Sequence, residues 1–342
     1  MIVLSGIKPT GRPHLGNYLA MLRPIVELQD QADLSYVFIA DYHALTTVRD
    51  GEQLRQDTID MALDFLAIGL DPEKSILYRQ SDLPELHELA WLLTVLCPMG
   101  LLERCHAFKD AKEKFGGDSG KGGEKILHGL FAYPVLMAAD ILSVQATHVP
   151  VGRDQIQHVE VTRDLVNKFH HHFCKGRENA VFTLPEATVR SEVAVVPGLD
   201  GQKMSKSYNN TIGLFETPKK ARKLMNKIVT DSKSVEDPKD PDTCKVFELY
   251  KLFANEEQQS ELAARYRAGG MGYGEAKGAL FEVFDAHVAP LREKREALAQ
   301  DLDAVEDILQ AGATRARAAL RTTLDKAREA VGLSATLTTP TS

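Results

Sequence analysis

The first half of the chain alternates short apolar segments with longer amphipathic ones. Residues 36–40 (YVFIA) form a continuous apolar run, the pattern of a strand buried on both faces of a sheet. Residues 2–5, 76–78 and 148–151 are further short apolar segments, and helix-like patterns separate them. Such alternation predicts a parallel sheet with helices on both faces, whose ligands bind at the carboxyl ends of the strands.

The second half of the chain has a different pattern. Strand patterns end near residue 210, and residues 218–333 show helical patterns interrupted by Asp-Pro and Gly-rich breaks. We therefore expect an α/β fold with a Rossmann-like, doubly wound parallel sheet over residues 1–208 and a second, all-α domain over residues 209–300. Residues 301–342 are expected to be C-terminal helices that pack back on the body, with a tail that frays from about residue 334.

Composition is typical of a globular protein in a reducing compartment. Hydrophobic residues make up 44% and charged residues 26% of the 342 residues. The N-terminus lacks a signal-peptide pattern, no run approaches the roughly 20 apolar residues of a membrane helix, and the four cysteines show no paired spacing. We therefore expect a cytoplasmic protein without membrane spans, structural metal or disulfides. The net charge of −7 argues against general nucleic-acid binding but leaves local basic patches open.

A turn rich in glycine and proline follows the first apolar segment and leads into a helix at residues 14–17 (HLGN). A helix N-terminus offers unpaired N–H groups and the positive end of the helix dipole, both suited to phosphate. Gly16 would let a nucleotide approach the backbone, and His14 and Asn17 would donate to phosphate oxygens. Taken alone, this turn is better explained as an ordinary capped helix start, and the segment described next reverses that preference.

Residues 203–207 (KMSKS), which we name the lysine loop, follow a flexible Gly-Leu-Asp-Gly run. Lys203 and Lys206 stand three positions apart, so both could reach a triphosphate if the loop closes over it. By the family resemblance that this loop and the N-terminal turn carry together, the reaction implied is adenylate formation, in which a carboxylate attacks the α-phosphorus of ATP and pyrophosphate leaves. Charge builds on the phosphate oxygens, so lysine ammonium groups and magnesium would stabilise the transition state without any side-chain nucleophile.

The early His-x-Gly turn and the late lysine loop together resemble the two phosphate-handling signatures of class I aminoacyl-tRNA synthetases. The resemblance implies that ATP binds with Mg²⁺ as a substrate complex, with Gly152 and Asp154 at the ribose. The catalytic residues that it implies are His14, Asn17, Lys109, Lys203 and Lys206. The ATP-binding residues that it implies are Lys8, Pro9, Thr10, Gly16, Asn17, Gly152, Arg153, Asp154, Val195, Lys203, Met204, Ser205, Lys206 and Ser207.

Residues 133–142 (YPVLMAADIL) are similar to the substrate-pocket helix of tryptophanyl-tRNA synthetases. A carboxylate in an apolar helix is costly without a partner, and an indole N–H, which can only donate, would be a partner for Asp140. By the same resemblance, Met137 would pack on the indole face. The other tryptophan-binding residues that it implies are Tyr133 and Gln155 at the α-amino group, together with His43, Val149 and Val151.

The resemblance, which covers about residues 1–333, implies an ATP-dependent, AMP-forming ligase. Such an enzyme makes tryptophanyl-adenylate and then transfers tryptophan to the 3′-terminal adenosine of its tRNA. The resemblance also implies a homodimer, and the apolar helical residues 83–102 are compatible with a subunit interface. Residues 209–300 would bind the anticodon. The basic segments 219–227 and 315–328 fit either tRNA phosphate contacts or solvated helix faces.

Three alternatives differ in substrate or in activity. A tyrosyl-tRNA synthetase shares both phosphate motifs, but its pocket must satisfy a phenolic hydroxyl, and the apolar residues 137–139 suit an indole better. A non-catalytic paralogue acting as a tRNA-binding or regulatory module should have lost Lys203, Lys206 or Asp140, and all three are present. Another adenylate-forming nucleotidyltransferase, acting on a small acid without tRNA, would not need the helical second half.

Some residues depart from the family pattern or imitate other sites. Lys8 stands where glutamine is frequent and Arg153 where glutamate is common, so their effect on ATP binding is open. Residues 116–123 are Gly-rich, but no Ser or Thr follows Lys121 and no strand precedes them, which excludes a P-loop. The three histidines at 170–172 point in three directions from a helix, which favours a solvated helix end over a metal site.

Overall fold

The computed structural model describes residues 1–115, 126–175, 179–189 and 196–333, and its N-terminal part is built on one parallel sheet. The strand order is β3-β2-β1-β4-β5, which confirms the Rossmann-like, doubly wound class. The order reverses between β1 and β4, the position at which such sheets bind ligands. The strands are β1 (Ile2–Ile7), β2 (Leu34–Ile39), β3 (Ser75–Arg79), β4 (His148–Val151) and β5 (Glu186–Val189).

Helices flank this sheet, and most follow the predicted pattern. A π-helical turn (Tyr18–Leu22) joins the first two, and 3-10 turns lie at Leu28–Asp30, Gln80–Asp82 and Arg153–Gln155. The helices of this part are α1 (Leu15–Asn17), α2 (Arg23–Glu27), α3 (Asp41–Ala44), α4 (Gly51–Ala67), α5 (Leu86–Thr94), α6 (Met99–Glu103), α7 (His106–Phe115), α8 (His128–Ser143) and α9 (Ile156–Phe173).

Two details of the prediction were wrong. The helix expected over residues 83–102 is divided into α5 and α6, and Pro98 stands at the N-cap of α6. Proline has no N–H to donate and its ring crowds the preceding helical turn, so Pro98 favours the start of a new helix here, although α8 accommodates Pro134 within it. The edge strand β5 was not predicted, because its four residues (EATV) carry too short a pattern to be recognised.

The described residues from 196 onward form helices and no strand. Two isolated bridges, His14–Gly213 and Pro197–Lys203, are the β-type pairings of this part. Within the described ranges, no helix is both long and apolar enough to cross a bilayer. The domain boundaries near 208 and 300 remain a prediction. The helices of this part are α10 (Pro218–Met225), α11 (Lys245–Tyr250), α12 (Glu256–Ala268), α13 (Tyr273–Ala299) and α14 (Leu302–Ala330).

The two faces of the sheet belong to two hydrophobic clusters. Successive residues of β2 alternate between them, because side chains of a strand point to opposite faces: Val37 and Ile39 join the first cluster, Tyr36 and Phe38 the second. The first cluster continues through α4 into α10–α13, and the second contains α5, α8, α9 and α14. The C-terminal helices therefore share the core of the sheet on both of its faces.

The arginines of the second basic segment lie on α14, and their bonds are made within the chain. Arg317 and Arg321 donate to Glu85, and Arg328 donates to Glu88. Arg315 donates to the carbonyl of Pro72 at 3.1 Å. These guanidinium groups hold α14 against the β3 and α5 side of the sheet, so their first role is structural.

A buried ion cluster joins α4 to α13. The Nε of Arg295 donates to Oδ1 of Asp64 at 2.5 Å, and its Nη2 donates to Asp60. The guanidinium also lies 5.3 Å from the ring centroid of Phe215. Burial raises the pKa of Asp64 to about 6 even though Arg295 opposes the shift. The cost of removing this carboxylate from water therefore exceeds what its partner returns.

We predict that Arg295→Met destabilises the protein in a pH-dependent way. The change removes the buried cation from both carboxylates and leaves Asp60 only the more exposed Arg12, 3.9 Å away, which should cost about 3–5 kcal/mol of unfolding free energy at pH 8. Since the folded-state pKa of Asp64 already lies above the usual 3.8, its protonated form relieves the penalty at pH 5, and the loss grows as pH rises through the folded pKa. Urea denaturation at both pH values measures this.

Arg265→Met is the matched control, because Arg265 pairs with Glu275 at an exposed position. Loss of an exposed ion pair should cost less than about 1 kcal/mol at either pH. An equal loss for Arg295→Met at pH 5 and pH 8 would show that packing, and not the uncompensated carboxylates, causes the destabilisation.

Candidate active site

Main-chain hydrogen bonds join the two phosphate motifs, although some 190 residues separate them. The N–H of Leu15 donates to the carbonyl of Ile212 at 2.9 Å, and the N–H of Leu214 donates to the carbonyl of Pro13 at 3.0 Å. His14 and Gly213 form the antiparallel bridge between these bonds. Residues 212–214, which follow the lysine loop, thus pair with residues 13–15 of the N-terminal turn. This pairing holds the lysine loop and the turn together near the carboxyl end of β1.

His14 is the N-cap of α1, as its position before the helix predicts. Its Nδ1 accepts from the Asn17 N–H, and the Asn17 side-chain oxygen accepts from the His14 N–H, both at 3.3 Å. Burial, with a smaller contribution from the charge of Lys206, lowers the pKa of His14 to about 4. The ring is therefore neutral near pH 7, and because Nδ1 accepts, the proton resides on Nε2, which remains available as a donor.

Lys206 reaches the N-terminal turn. Its Nζ donates to the carbonyl of Thr10 at 2.8 Å. Gly11 has a φ of +82°, and a Cβ added there would lie 3.3 Å from this ammonium group, so glycine serves both the backbone conformation and the close approach. Although the side chain is largely exposed, partial desolvation lowers the pKa of Lys206, and Asp57 and Asp64 oppose that shift.

Asn210 organises the lysine loop and was missed by sequence reasoning. Its Oδ1 accepts from the Ser205 N–H at 2.8 Å, and its Nδ2 donates to Asp200 at 2.7 Å and to the Lys203 carbonyl at 3.1 Å. A Cβ at Gly198 would lie 2.3 Å from this amide, so the glycine leaves the space that Asn210 fills. The Asn-Asn pair at 209–210 was the available sequence signal, since asparagine favours turns.

The lysine loop divides its side chains between core and surface. Met204 is buried in the first cluster, together with Leu15 and Ile212. Lys203 is exposed, and Ser205 and Ser207 are linked by a 2.8 Å bond between their hydroxyls. Met204 therefore anchors the loop, and the lysines on either side of it face away from the core.

Asp140 is 3% exposed, on α8, and it has two partners. Gln80 Nε2 lies 2.8 and 2.9 Å from its two oxygens, and His43 Nε2 lies 2.9 Å from Oδ2. Burial raises the pKa of this carboxyl, while the bonds from His43 and Gln80 lower it. Asp140 is thus not a carboxylate on the helix surface: it is held inside the protein, with its oxygens directed at donors.

Gln80 was not predicted as a site residue. It is 1% exposed, in the 3-10 turn after β3, and its Oε1 accepts from the His43 N–H at 3.3 Å. The adjacent Ser81 donates from its N–H to Asp41 at 3.0 Å. The ends of β2 and β3 are thus joined through polar side chains. A buried carboxylate demands a partner, but the sequence does not say which distant residue supplies it.

A second polar chain runs from α8 to the start of α9. Tyr133 Oη lies 2.9 Å from His158 Nε2, and His158 Nδ1 lies 3.0 Å from Gln155 Oε1. The Gln155 amide donates to Asp154 at 2.9 Å. Tyr133 is also near the other predicted residues, since its ring centroid lies 6.1 Å from that of His43 and 5.5 Å from the Lys8 ammonium.

The remaining predicted residues lie at several different places in the structure. Lys8 bonds to Thr46 Oγ1 at 3.3 Å, and burial lowers its pKa. Lys109 is exposed on α7, which ends where the described residues break off at 115. Val195 lies outside the described residues, as do the P-loop-like segment 116–123 and the tail expected to fray. Pro9 follows β1, Gly152 and Arg153 follow β4, the buried Val149 and Val151 lie on β4, and Met137 lies half-buried on α8.

The histidine run at the end of α9 has a structural use. His170 Nε2 accepts from the backbone N–H groups of Val181 and Phe182, at 3.2 and 3.1 Å. Within the ranges that the structure describes, no group of three or more His, Cys, Asp or Glu side chains is arranged to hold a metal ion.

Comparison with known proteins identifies the class. Residues 1–289 match the family model described as tRNA synthetases class I (W and Y). The tryptophan–tRNA ligase of Rhodopirellula baltica is 54% identical over 97% of this chain and all of the relative. The tryptophan–tRNA ligase of Campylobacter jejuni is 46% identical over 97% of this chain and its own full length.

Solved structures agree with this result. The tryptophanyl-tRNA synthetase of Campylobacter jejuni complexed with ADP and tryptophan has a TM-score of 0.89 at 46% identity, over 97% of this chain and all of that one. The Mycoplasma pneumoniae tryptophanyl-tRNA synthetase has a TM-score of 0.74 at 31% identity, over 97% and 98% of the two chains. The chain belongs to the tryptophanyl-tRNA synthetase family, within the class I synthetases for tryptophan and tyrosine, and the resemblance drawn from its motifs is confirmed.

Proposed function

We propose that this protein activates L-tryptophan with ATP, releasing pyrophosphate, and then transfers tryptophan from the adenylate to the 3′-terminal adenosine of its tRNA. The observation that carries the proposal is the position of Asp140: a buried carboxylate, held as an acceptor, at the same sheet edge as the joined phosphate motifs. The relatives supply independent support, since they are tryptophan–tRNA ligases over the full length of this chain.

The phosphates of ATP would lie between the N-terminal turn and the lysine loop. His14 and Asn17 would donate to phosphate oxygens, beside the free N–H groups of the turn. Lys206, with Lys203 and Lys109, would stabilise the negative charge that develops on the phosphate oxygens as pyrophosphate leaves. Gly16, together with residues 8–10, 152–154, 195 and 203–207, would complete the ATP site, and Mg²⁺ would arrive bound to the triphosphate.

Tryptophan would bind beside this site, with its indole against β4 and α8. The indole N–H would donate to Asp140, Met137 would pack on the ring, and His43, Val149 and Val151 would form the surrounding wall. Tyr133 and Gln155 would accept from the α-ammonium group. The carboxylate would then point toward the phosphate motifs, near the Lys8 ammonium, which lies 5.5 Å from the Tyr133 ring.

Catalysis in this arrangement requires positioning and charge, and no protein nucleophile. The substrate carboxylate attacks the α-phosphorus directly, and pyrophosphate carries away the negative charge. Holding both substrates at one sheet edge removes the entropic cost of their encounter. Cations aimed at the phosphate oxygens stabilise the transition state more than the ground state.

The alternatives are separated by particular residues. A carboxylate such as Asp140 could accept from an indole N–H or from a phenolic O–H, so tryptophan is favoured over tyrosine by the apolar residues 137–139 before Asp140 and by the relatives, which are tryptophan–tRNA ligases. The chain keeps Lys203, Lys206 and Asp140, which a non-catalytic paralogue would not need. Full-length identity to tRNA ligases argues against an adenylate-forming enzyme that acts without tRNA.

The first prediction from this proposal is amino-acid-dependent ATP–pyrophosphate exchange with tryptophan alone among the twenty amino acids, followed by charging of its tRNA. The measurement is isotope exchange, with each amino acid added separately. Exchange with tyrosine alone would keep the mechanism and overturn the assignment of Asp140. Silence with all twenty amino acids would favour the non-catalytic paralogue.

The two ends of the site should respond differently to substitution. Asp140→Ala should lower kcat/KM for tryptophan about 10- to 100-fold, as expected for a hydrogen bond to a charged group, and leave the KM for ATP nearly unchanged.

Lys206→Ala should lower kcat more than it changes the KM for either substrate, because its contact strengthens in the transition state. Steady-state kinetics of both variants measures these effects.

A benzothienyl analogue of tryptophan, in which sulfur replaces the indole N–H, is the matched control. The wild-type protein should prefer tryptophan to the analogue, and Asp140→Ala should lose that preference. A preference that survives in the variant would place the indole N–H elsewhere. Lys206→Ala with normal kcat and weaker ATP binding alone would contradict a transition-state role.

We also propose a homodimer in which a second copy of the chain covers the α5–α6 surface. Trp91, Val95 and Met99 are large apolar residues with exposures of 64%, 59% and 64%. An apolar patch of this kind is characteristic of a protein–protein interface, and aromatic residues and methionine are enriched at such interfaces. The three residues are four positions apart, on α5, at its C-cap and at the start of α6.

We predict that Trp91→Glu converts the protein to a monomer, since it places a charge in the proposed interface core. Analytical ultracentrifugation of the wild-type protein should show a dimer and that of the variant a monomer. Tyr208→Glu, at a residue 61% exposed elsewhere on the surface, is the control and should leave the dimer intact. A monomeric wild-type protein would refute the proposal.

The tRNA would contact the helical part, with the anticodon at residues 209–300. Lys219, Lys223 and Lys227 are exposed and recur at a spacing of four residues, which places them on one side of the α10 segment. Salt-dependent protection of this segment by tRNA would test the contact. The proposed location is the cytoplasm, which cell fractionation would test.

A further inference from the structure

His158 has no assigned role in the reaction, yet it stands at the centre of the polar chain beside the proposed α-amino site. It is 2% exposed in the first turn of α9. Both of its ring nitrogens are used, Nε2 at 2.9 Å from Tyr133 Oη and Nδ1 at 3.0 Å from Gln155 Oε1. It therefore connects the two side chains that would hold the α-ammonium group of tryptophan.

In this series of hydrogen-bonded side chains, the carboxylate of Asp154 at one end determines which atom donates and which accepts in each bond. Asp154 can only accept, so the Gln155 amide nitrogen must face it, at 2.9 Å. The Gln155 oxygen then faces His158, and since an amide oxygen only accepts, the ring proton resides on Nδ1. A neutral imidazole protonated on Nδ1 has a lone pair on Nε2, which must accept from the Tyr133 O–H.

The neutral ring form has two supports. Burial lowers the pKa of His158 to about 4, although Asp154 acts in the opposite direction. A doubly protonated ring would also place an N–H against the Tyr133 hydroxyl and reverse that bond, since the cation accepts at neither nitrogen. The charged groups that face the ring from other elements, Lys8 and the imidazoles of His43 and His106, disfavour the cation as well.

We propose that His158 is a positioning residue: its Nε2 accepts the hydrogen bond from the Tyr133 hydroxyl and thereby leaves the tyrosine oxygen as an acceptor for the substrate ammonium group. A hydroxyl that is free to rotate can donate or accept. With its proton engaged by His158, Tyr133 can only accept from a third group, which suits a primary ammonium and disfavours a ligand that presents an acceptor there. This inference rests on the proposed position of tryptophan.

The test compares two substitutions of His158 on three ligands. His158→Leu removes the acceptor at similar volume, and His158→Gln keeps an oxygen that can accept from Tyr133 and an amide that can donate to Gln155. The ligands are tryptophan, tryptamine, which keeps the ammonium and lacks the carboxylate, and indole-3-propionate, which lacks the ammonium. Dissociation constants are measured by isothermal titration of the full chain.

For His158→Leu we expect the Kd of tryptophan and of tryptamine to rise about tenfold or more, and that of indole-3-propionate to change less than about twofold. His158→Gln should restore ammonium binding to within about threefold of the wild-type value. A purely structural role would weaken all three ligands together. That outcome, or no effect on any of them, would overturn the proposal.

Two controls separate this inference from the proposed function. His170→Leu replaces another α9 histidine, which bonds to the backbone of residues 181 and 182, and it should leave all three dissociation constants unchanged. Tyr133→Phe tests the tyrosine itself. If Tyr133→Phe leaves tryptamine binding intact, the proposed ammonium site is wrong. If it weakens tryptamine binding while His158→Leu does not, only the role of His158 is refuted.

Discussion

The antiparallel pairing of the N-terminal turn with residues 212–214 is the constraint on which the site depends. Two short main-chain bonds, from Leu15 and Leu214, hold the lysine loop beside the carboxyl end of β1. They act together with the packing of Met204 beside Leu15 and with the bond from Lys206 to the Thr10 carbonyl, which also hold the loop to the turn. The two main-chain bonds use backbone groups, so they do not depend on which side chains are present. The conformation of the lysine loop depends instead on Met204, which is buried, and on Asn210, which accepts from the Ser205 N–H.

Buried polar groups make up the proposed tryptophan side of the site, and each carries a desolvation cost that its neighbours oppose. Asp140 receives bonds from Gln80 and His43, while His158 is kept neutral between Tyr133 and Gln155. Networks of this kind are stable only when every polar group has a hydrogen-bond partner. A low dielectric strengthens each hydrogen bond, and it also raises the cost of a buried polar group that has no partner. The hydrogen-bond directions of these side chains are therefore fixed by their neighbours, which would let the proposed pocket discriminate between donors and acceptors.

Sequence patterns predicted much of this architecture, and the site residues that they missed share one physical cause. The apolar runs of β1–β4 and the period of the main helices are local properties, so the order of elements followed from the chain itself. The lysine loop and the pocket helix were recognisable because their chemistry is contiguous. Gln80, Asn210 and His158 were missed because their importance lies in partners 5 to 60 residues away, and a lone polar residue gives no sign of which distant group it will meet.

The two basic segments show why charge patterns alone do not define an interface. Both lie on helices and both have the spacing of an exposed face, yet Arg317, Arg321 and Arg328 on α14 meet Glu85 and Glu88 of α5. Lys219, Lys223 and Lys227 remain exposed at the α10 end. The difference lies in what each helix packs against: α14 lies beside Glu85 and Glu88, at the N-cap and in the first turn of α5, whereas α10 turns its apolar residues Ala221 and Met225 inward. On a protein with a net charge of −7, tertiary structure thus pairs one basic segment with acidic side chains and leaves the other exposed to solvent.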